Sequence, residues 1–389
     1  MSIKLKGSTD GSVSLQAPAD TSPTGTDKTF TLPTQDGDAG QILKTDGSGA
    51  LSFTDNYASN RNLVANGAMR LAQRSTSGTT TSSGTYLSVD RWKCTDGGEG
   101  AFTVSQSSTA PDGFANSVKW DCTTADTSIS SEIYMEQLIE GQDLQHLKYG
   151  TSSAKSITIS FWVRSNLTGQ FGVWLENFDS SRYFTTSGYT INTADTWEYK
   201  TITIPGDTAG SGFDNDNEVG MKLRWHLAVR SSYQGTPSGS WSASASNRSQ
   251  SSHVNLASST ANEWYLTGVQ VEVGDGATSY EHRSFGDELI RCQRYYQEIN
   301  PRYMAGQFLI TDQVACQFVP FYVVMRSTPT ATYTGMQIRE NNGNFASTTL
   351  TSNAQLTEKG LNVVVNRSGA ATGDSFVAFI TSAKMNAEL

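Results

Sequence analysis

The sequence predicts an all-β protein: N-terminal extended stalk strands, a central antiparallel jelly-roll β-sandwich, a short connector helix and a small C-terminal β-domain. Three observations carry this. Short runs with period-2 alternation recur along most of the chain, turn-forming Gly, Ser, Thr and Asn separate them, and helical spacing of apolar residues stands out at one place. Among 389 residues, hydrophobic content of 36% and charged content of 17% are both low, but 8 Trp, 15 Tyr and 16 Phe exclude a disordered chain.

Residues 1–57 form the first segment. Phe30 and Leu32, Ile42 and Leu43, then Leu51 and Phe53 sit in runs too short to bury a face within one chain, and Asp36-Gly37, Asp46-Gly47 and Gly49 are turn chemistry. Such a strip needs partners, and several copies sharing one axial core supply them. Residues 58–283 are denser. Strands are expected around Asp90–Trp92, Phe102–Val104, Ser117–Trp120, Ile157–Val163, Phe171–Leu175, Trp197–Ile204, Lys222–Leu227 and Trp264–Val273, with a helical interruption over Glu140–Leu147. The segment 284–300 is the connector helix, expected over Ser284–Gln297: Ser284 with Asp287 resembles a capping box, Phe285, Leu289, Cys292 and Tyr296 share one face, and Asn300-Pro301 stops it. Residues 301–389 return to short strands and form the C-terminal β-domain.

The net charge of -9 and the lack of a Lys/Arg cluster argue against nucleic acid, which is held through basic patches. Cys94, Cys122, Cys292 and Cys316 show no CxxC spacing and read as free buried thiols, with no metal and no cofactor implied. Asp214–Glu218 lacks the spacing of a calcium loop and reads as a polar turn. The start Met-Ser-Ile-Lys-Leu-Lys-Gly has no signal-peptide core, and no eighteen apolar residues run together, so synthesis in a reducing cytoplasm without membrane insertion is expected.

A sugar site needs aromatic faces for the apolar side of a pyranose and planar amides, carboxylates or imidazoles for its hydroxyls. The second half of the sandwich offers Trp174, Glu176, Asn177, Arg182, Tyr183, Phe184, Trp225, His226, Tyr233 and Trp241. Alternation puts Phe171, Val173 and Leu175 on one face of their strand and Gly172, Trp174 and Glu176 on the other. The carbohydrate-binding candidates are therefore Trp174, Glu176, Asn177, Arg182, Trp225, His226 and Trp241, with an exposed indole among Trp174, Trp225 and Trp241 as the stacking ring. Neither a repeating β-coil nor a distinctive acidic pair is present, so no catalytic residue is assigned and an enzyme is not expected.

The strip from Thr29 to Phe53 resembles the stalk segments of bacteriophage tail fibres. Asn62–Met69 with Asp90-Arg91-Trp92, Gln137–Gly141, Ile159–Arg164, Thr267–Glu272, Tyr280–Leu289, Arg291–Gln297, Met325-Arg326 with Pro329-Thr330, and Ala387–Leu389 are similar to tail-associated virion proteins with a carbohydrate-binding-module-like jelly roll. The resemblance implies a virion protein: a homotrimeric fibre, docked on other virion proteins by its N-terminal segment, that binds host cell-surface polysaccharide. A head-decorating or tail-attached appendage without glycan binding and a polysaccharide-cleaving tailspike are the alternatives. The stalk is shorter than the resemblance leads one to expect.

Overall fold

A computed structural model describes residues 2–6, 12–16, 29–37, 41–45, 47–55, 60–299, 302–307, 317–340, 345–347, 355–363 and 375–389. Two compact units divide the chain, Met1–Ser59 and Asn60–Leu389. The first holds two antiparallel hairpins. β1 (Ser2–Lys6) pairs with β2 (Ser12–Gln16), and β3 (Gln41–Thr45) pairs with β4 (Leu51–Asp55). Phe30, Leu32, Ile42, Leu43 and Phe53 are all exposed, and Leu51 is half-buried.

The second unit is built around a sandwich of two antiparallel sheets. In chain order its strands are β5 (Ser77–Thr79), β6 (Thr85–Tyr86), β7 (Lys93–Thr95), β8 (Ala101–Ser107), β9 (Ser117–Thr124), β10 (Glu132–Glu140), β11 (Ile157–Ser165) and β12 (Gly169–Asn177). There follow β13 (Arg182–Thr185), β14 (Tyr189–Ile191), β15 (Glu198–Ile204), β16 (Val219–Val229), the short pair β17 (Gln234–Gly235) and β18 (Ser249–Gln250), and β19 (Glu263–Val273). One sheet runs β13-β12-β16-β10-β7-β6, with β14 beside β12, and the other runs β15-β11-β19-β9-β8-β5. Neighbours in space are mostly distant in sequence, as a jelly roll requires.

Alternation decides what fills the space between the sheets. Phe171, Val173 and Leu175 of β12, Met221, Leu223, Trp225 and Leu227 of β16, and Ile133 and Met135 of β10 face Ile157, Ile159, Phe161 and Val163 of β11 and Leu266, Val269 and Val271 of β19. Each fully buried aliphatic side chain contributes about 1.5–3 kcal/mol, so this layer is the main source of stability. Trp225 lies in its middle, edge-on to Trp92 at 5.5 Å and to Phe161 at 5.6 Å. A 3-10 helix, Gly141–Leu147, interrupts the sheet where the sequence places a helical break, and it buries Leu144 and Leu147.

Helix α1 (Phe285–Gln293) is shorter than the sequence predicts. Ser284 caps it, its Oγ accepting from the Asp287 amide at 3.1 Å, and Cys292 is buried, both as expected. Two expectations are corrected. Phe285 is 52% exposed because it occupies the first turn, where the side chain has no opposing layer, and Tyr296 and Gln297 begin strand β20 (Tyr296–Ile299) instead of ending the helix. β20, β21 (Arg302–Gln307), β23 (Thr330–Glu340) and β24 (Phe345–Ser347) build a sheet around the long β27 (Ser375–Asn386), while β22 (Gln317–Pro320) and β25 (Gln355–Leu356) flank β26 (Gly360–Val363). This C-terminal region shares the unit of the sandwich: Arg326 donates to the Ala387 carbonyl at 3.0 Å and to the Asn217 carbonyl at 2.8 Å, and Glu388 pairs with Arg74 and Arg91. Cys94, Cys122 and Cys292 are free and buried; Cys316 lies outside the described residues.

Candidate functional site

The outer face of the β13-β12-β16-β10 sheet carries the polar and aromatic residues left over by the core alternation. Register sets Trp174 beside Arg224 and Thr185, Gly172 beside His226, and Glu176 beside Lys222 and Tyr183. On the far side of β16, Tyr134 pairs with His226 and Glu136 with Arg224. The result is a layered band. The Arg224 guanidinium lies 4.2 Å from the Tyr134 ring centre and 5.0 Å from that of Trp174, while its Nε donates to Glu136 at 2.6 Å. Such stacking of guanidinium on aromatic faces is attractive and holds the rings in fixed planes.

Residues 231–250 cross this face. β17 and β18 pair in parallel, Arg248 reaches down to Glu132 at 2.5 Å, and Ser242 exchanges backbone hydrogen bonds with Tyr183 at 2.8 and 2.9 Å. That cover corrects several sequence-based site assignments. Trp174 is only 2% exposed, roofed by the Tyr183 ring at 5.4 Å and an 18° tilt, so it backs a platform and does not present one. Trp225 points to the core, as do all odd-numbered residues of β16 near it, and is fully buried. Asn177 shares the inward face of Leu175 and is also fully buried, and its amide has no partner among the described residues. His226 does lie on the outer face, but the crossing segment seals it, with its Nε2 3.3 Å from Glu132 Oε1. Burial raises the Glu132 carboxyl, yet His226, Arg248 and Arg224 outweigh this and hold it down at about 2. Glu176 is nearly buried and pairs with Lys222 at 3.2 Å.

Arg182 and Trp241 sit at the edge of the face, and there the surface opens. Trp241 is half-buried, its Nε1 donating to the Pro205 carbonyl at 2.7 Å and its ring meeting Tyr149 at 5.5 Å and Phe184 at 5.6 Å. Beside it lies a slot of about 120 Å³ lined by Tyr183, Thr185, Pro237, Asn247 and the serines 238, 240, 242, 244 and 246. Five serines at alternate positions line one opening, and short local turns set their spacing: the Oγ atoms of Ser238, Ser242 and Ser244 accept from the amides of Ser240, Ser244 and Ser246. Ser238 Oγ donates to the Ser240 carbonyl at 3.0 Å, Ser244 Oγ lies 2.9 Å from Ser246 Oγ, and Thr185 donates to the Asn247 carbonyl. The slot thus combines one half-buried phenol ring with a neutral array of donors and acceptors. Tyr183 and Trp241 are legible from the sequence as aromatic candidates; the serine spacing is visible there too, at Ser238–Ser246, but only the bridge to Tyr183 shows that it frames a ring.

No protein-family model matches the chain, and no curated protein matches it. Among solved structures, the enzymatically active domain of bacteriophage CBA120 tailspike protein 4 aligns at 12% identity over 55% of this chain and 21% of that one, with a TM-score of 0.30. The chain thus spans about a fifth of that structure. A CBM4 structure aligns at 14% identity over 54% of this chain and 98% of that one, with a TM-score of 0.28. The CBM22-1 xylan-binding domain from Paenibacillus barcinonensis aligns at 10% identity over 51% and 95%, with a TM-score of 0.27.

Proposed function

We propose that this chain is a non-catalytic glycan-binding protein of a tailed bacteriophage virion, a homotrimeric tail fibre whose slot at Tyr183 takes host-surface polysaccharide. One observation carries the reading: a tyrosine ring, stiffened from behind by Trp174, stands in a slot lined by alternate serines and by no formally charged residue. A pyranose has an apolar face and a rim of hydroxyls, and this pairing of a flat ring with neutral hydrogen-bonding groups matches both. Trimerisation is supported by the exposed apolar residues of the N-terminal unit, and three weak sites on one fibre raise the effective concentration of the second contact. The N-terminal segment would dock on other virion proteins.

Titrating oligosaccharides released from the host surface into the full-length protein tests this. Tyr183→Ala should weaken binding by roughly 1–3 kcal/mol, the scale of ring-stacking contacts elsewhere, with the thermal transition retained. Equal binding by parent and variant, or no binding of any host oligosaccharide by the parent, would overturn it.

A further inference from the structure

We infer that a second pocket, between the loops 148–153 and 211–213, binds a carboxylate-bearing sugar of the uronic acid class. It measures about 450 Å³, within the range of small-molecule sites, and is lined by Leu144, Gln145, Lys148, Tyr149, Thr151, Ser153, Ser211, Gly212 and Phe213. None of these residues lines the Tyr183 slot.

Two glycines make the pocket. Gly150 and Gly212 both have positive φ, and a Cβ on Gly150 would come within 2.5 Å of the Gly212 nitrogen while one on Gly212 would come within 2.6 Å of the Tyr149 carbonyl oxygen. Only bare backbone lets the two loops meet this closely. Above that junction Tyr149 and Phe213 stack at 5.0 Å, a ring platform whose outer member is half-buried. Tyr149 itself is 4% exposed, with its hydroxyl closed off from solvent, so it backs the Phe213 ring from behind.

Lys148 supplies the selectivity. It caps the 3-10 helix in the left-handed conformation, φ 55° and ψ 31°, which a residue with a Cβ adopts at a cost, and the Thr151 hydroxyl fixes it by donating to its carbonyl at 2.7 Å. Its ammonium is exposed and pairs with no acid among the described residues, although most other cations of the sandwich are matched to carboxylates. An unmatched cation beside a ring platform and the hydroxyls of Ser153 and Ser211 calls for a ligand with a flat apolar face, several hydroxyls and one negative charge. A uronic acid residue has all three, while a neutral hexose leaves the ammonium unanswered.

Ligand-observed NMR and calorimetry on the full-length protein, with D-glucuronate and D-glucose as probes, test the assignment. Glucuronate should bind at least about tenfold more tightly than glucose, Lys148→Gln should remove about tenfold or more of that affinity, and Lys148→Arg should keep most of it. Tyr183→Ala should leave glucuronate binding unchanged, which separates this site from the slot. Equal binding of the two sugars, no binding of glucuronate, or an undiminished Lys148→Gln variant would each overturn the inference.

Discussion

Arg182 lies along the carboxylate of Asp207, its Nε 2.9 and 2.8 Å from the two oxygens, and its Nη2 donates to the Trp241 carbonyl at 3.2 Å. Asp207 is almost fully buried, and its own carbonyl accepts from the Gly150 amide at 2.8 Å. One ion pair therefore fastens β13, the Trp241 segment and the loop below the second pocket to each other. Its geometry makes it structural, not an open sugar contact, although the sequence offers Arg182 as a hydroxyl partner.

Arg182→Ala should accordingly destabilise the protein by about 3 kcal/mol, since it strands a buried carboxylate. Hydrogen exchange should quicken in residues 236–248 and 148–153 together. A variant that unfolds at the parent temperature with unchanged exchange in both segments contradicts the strut.

Stability should also depend on His253. Its Nε2 accepts from the Gly172 amide at 3.0 Å and its Nδ1 lies 2.6 Å from the Val254 carbonyl oxygen. Burial is the main cause that pushes the imidazole down to about 4 from 6.5, so the folded state prefers the neutral ring. The sign follows: this contribution is complete above pH 6.5 and erodes as the pH falls toward 4, reaching about 3 kcal/mol at its limit. Asp90, raised by burial to about 6, acts oppositely and loses stability as the pH rises. The decisive measurement is therefore the difference in melting temperature between the parent and His253→Gln from pH 7.5 to about pH 4.5. The parent should lose ground relative to the variant on acidification, and parallel curves would show that His253 does not carry the dependence.

The third expectation concerns assembly. Phe30 at 63% and Leu32 at 70% exposure, with Ile42, Leu43 and Phe53, form an exposed apolar strip among the described residues of the N-terminal unit. Sedimentation of the full-length protein at micromolar concentration should give a trimer, and deletion of residues 2–57 should weaken it. A monomeric full-length protein would refute the shared-core argument.

The strand positions were legible because period-2 alternation is local. Phe171, Val173 and Leu175 announce the inward face of β12 within five residues, and the Ser284 cap announces the start of α1. Site exposure was not legible. Whether Trp174 meets solvent depends on Ser242 pairing with Tyr183 some sixty positions earlier, and no local pattern reports a crossing made by a serine-rich segment. Asn177 was misplaced for a simpler reason: its polarity argued for the outside, whereas strict alternation from Leu175 puts it inside. Lys148 and Gly212 carry no motif at all, and only their folded proximity marks a pocket.

The chain enters and leaves the sandwich at one corner. Glu281 accepts from the Arg61 and Asn62 amides at 3.2 and 3.0 Å, Arg283 donates to the Asn62 and Val64 carbonyls, and Asn62 Oδ1 receives the Val271 amide at 3.0 Å. Tension applied between Asn60 and α1 would thus be carried by this short clamp, in shear, without passing through the layered interior. Force drawn through this clamp leaves the Tyr183 slot unstrained, because the load path and the slot share no residues.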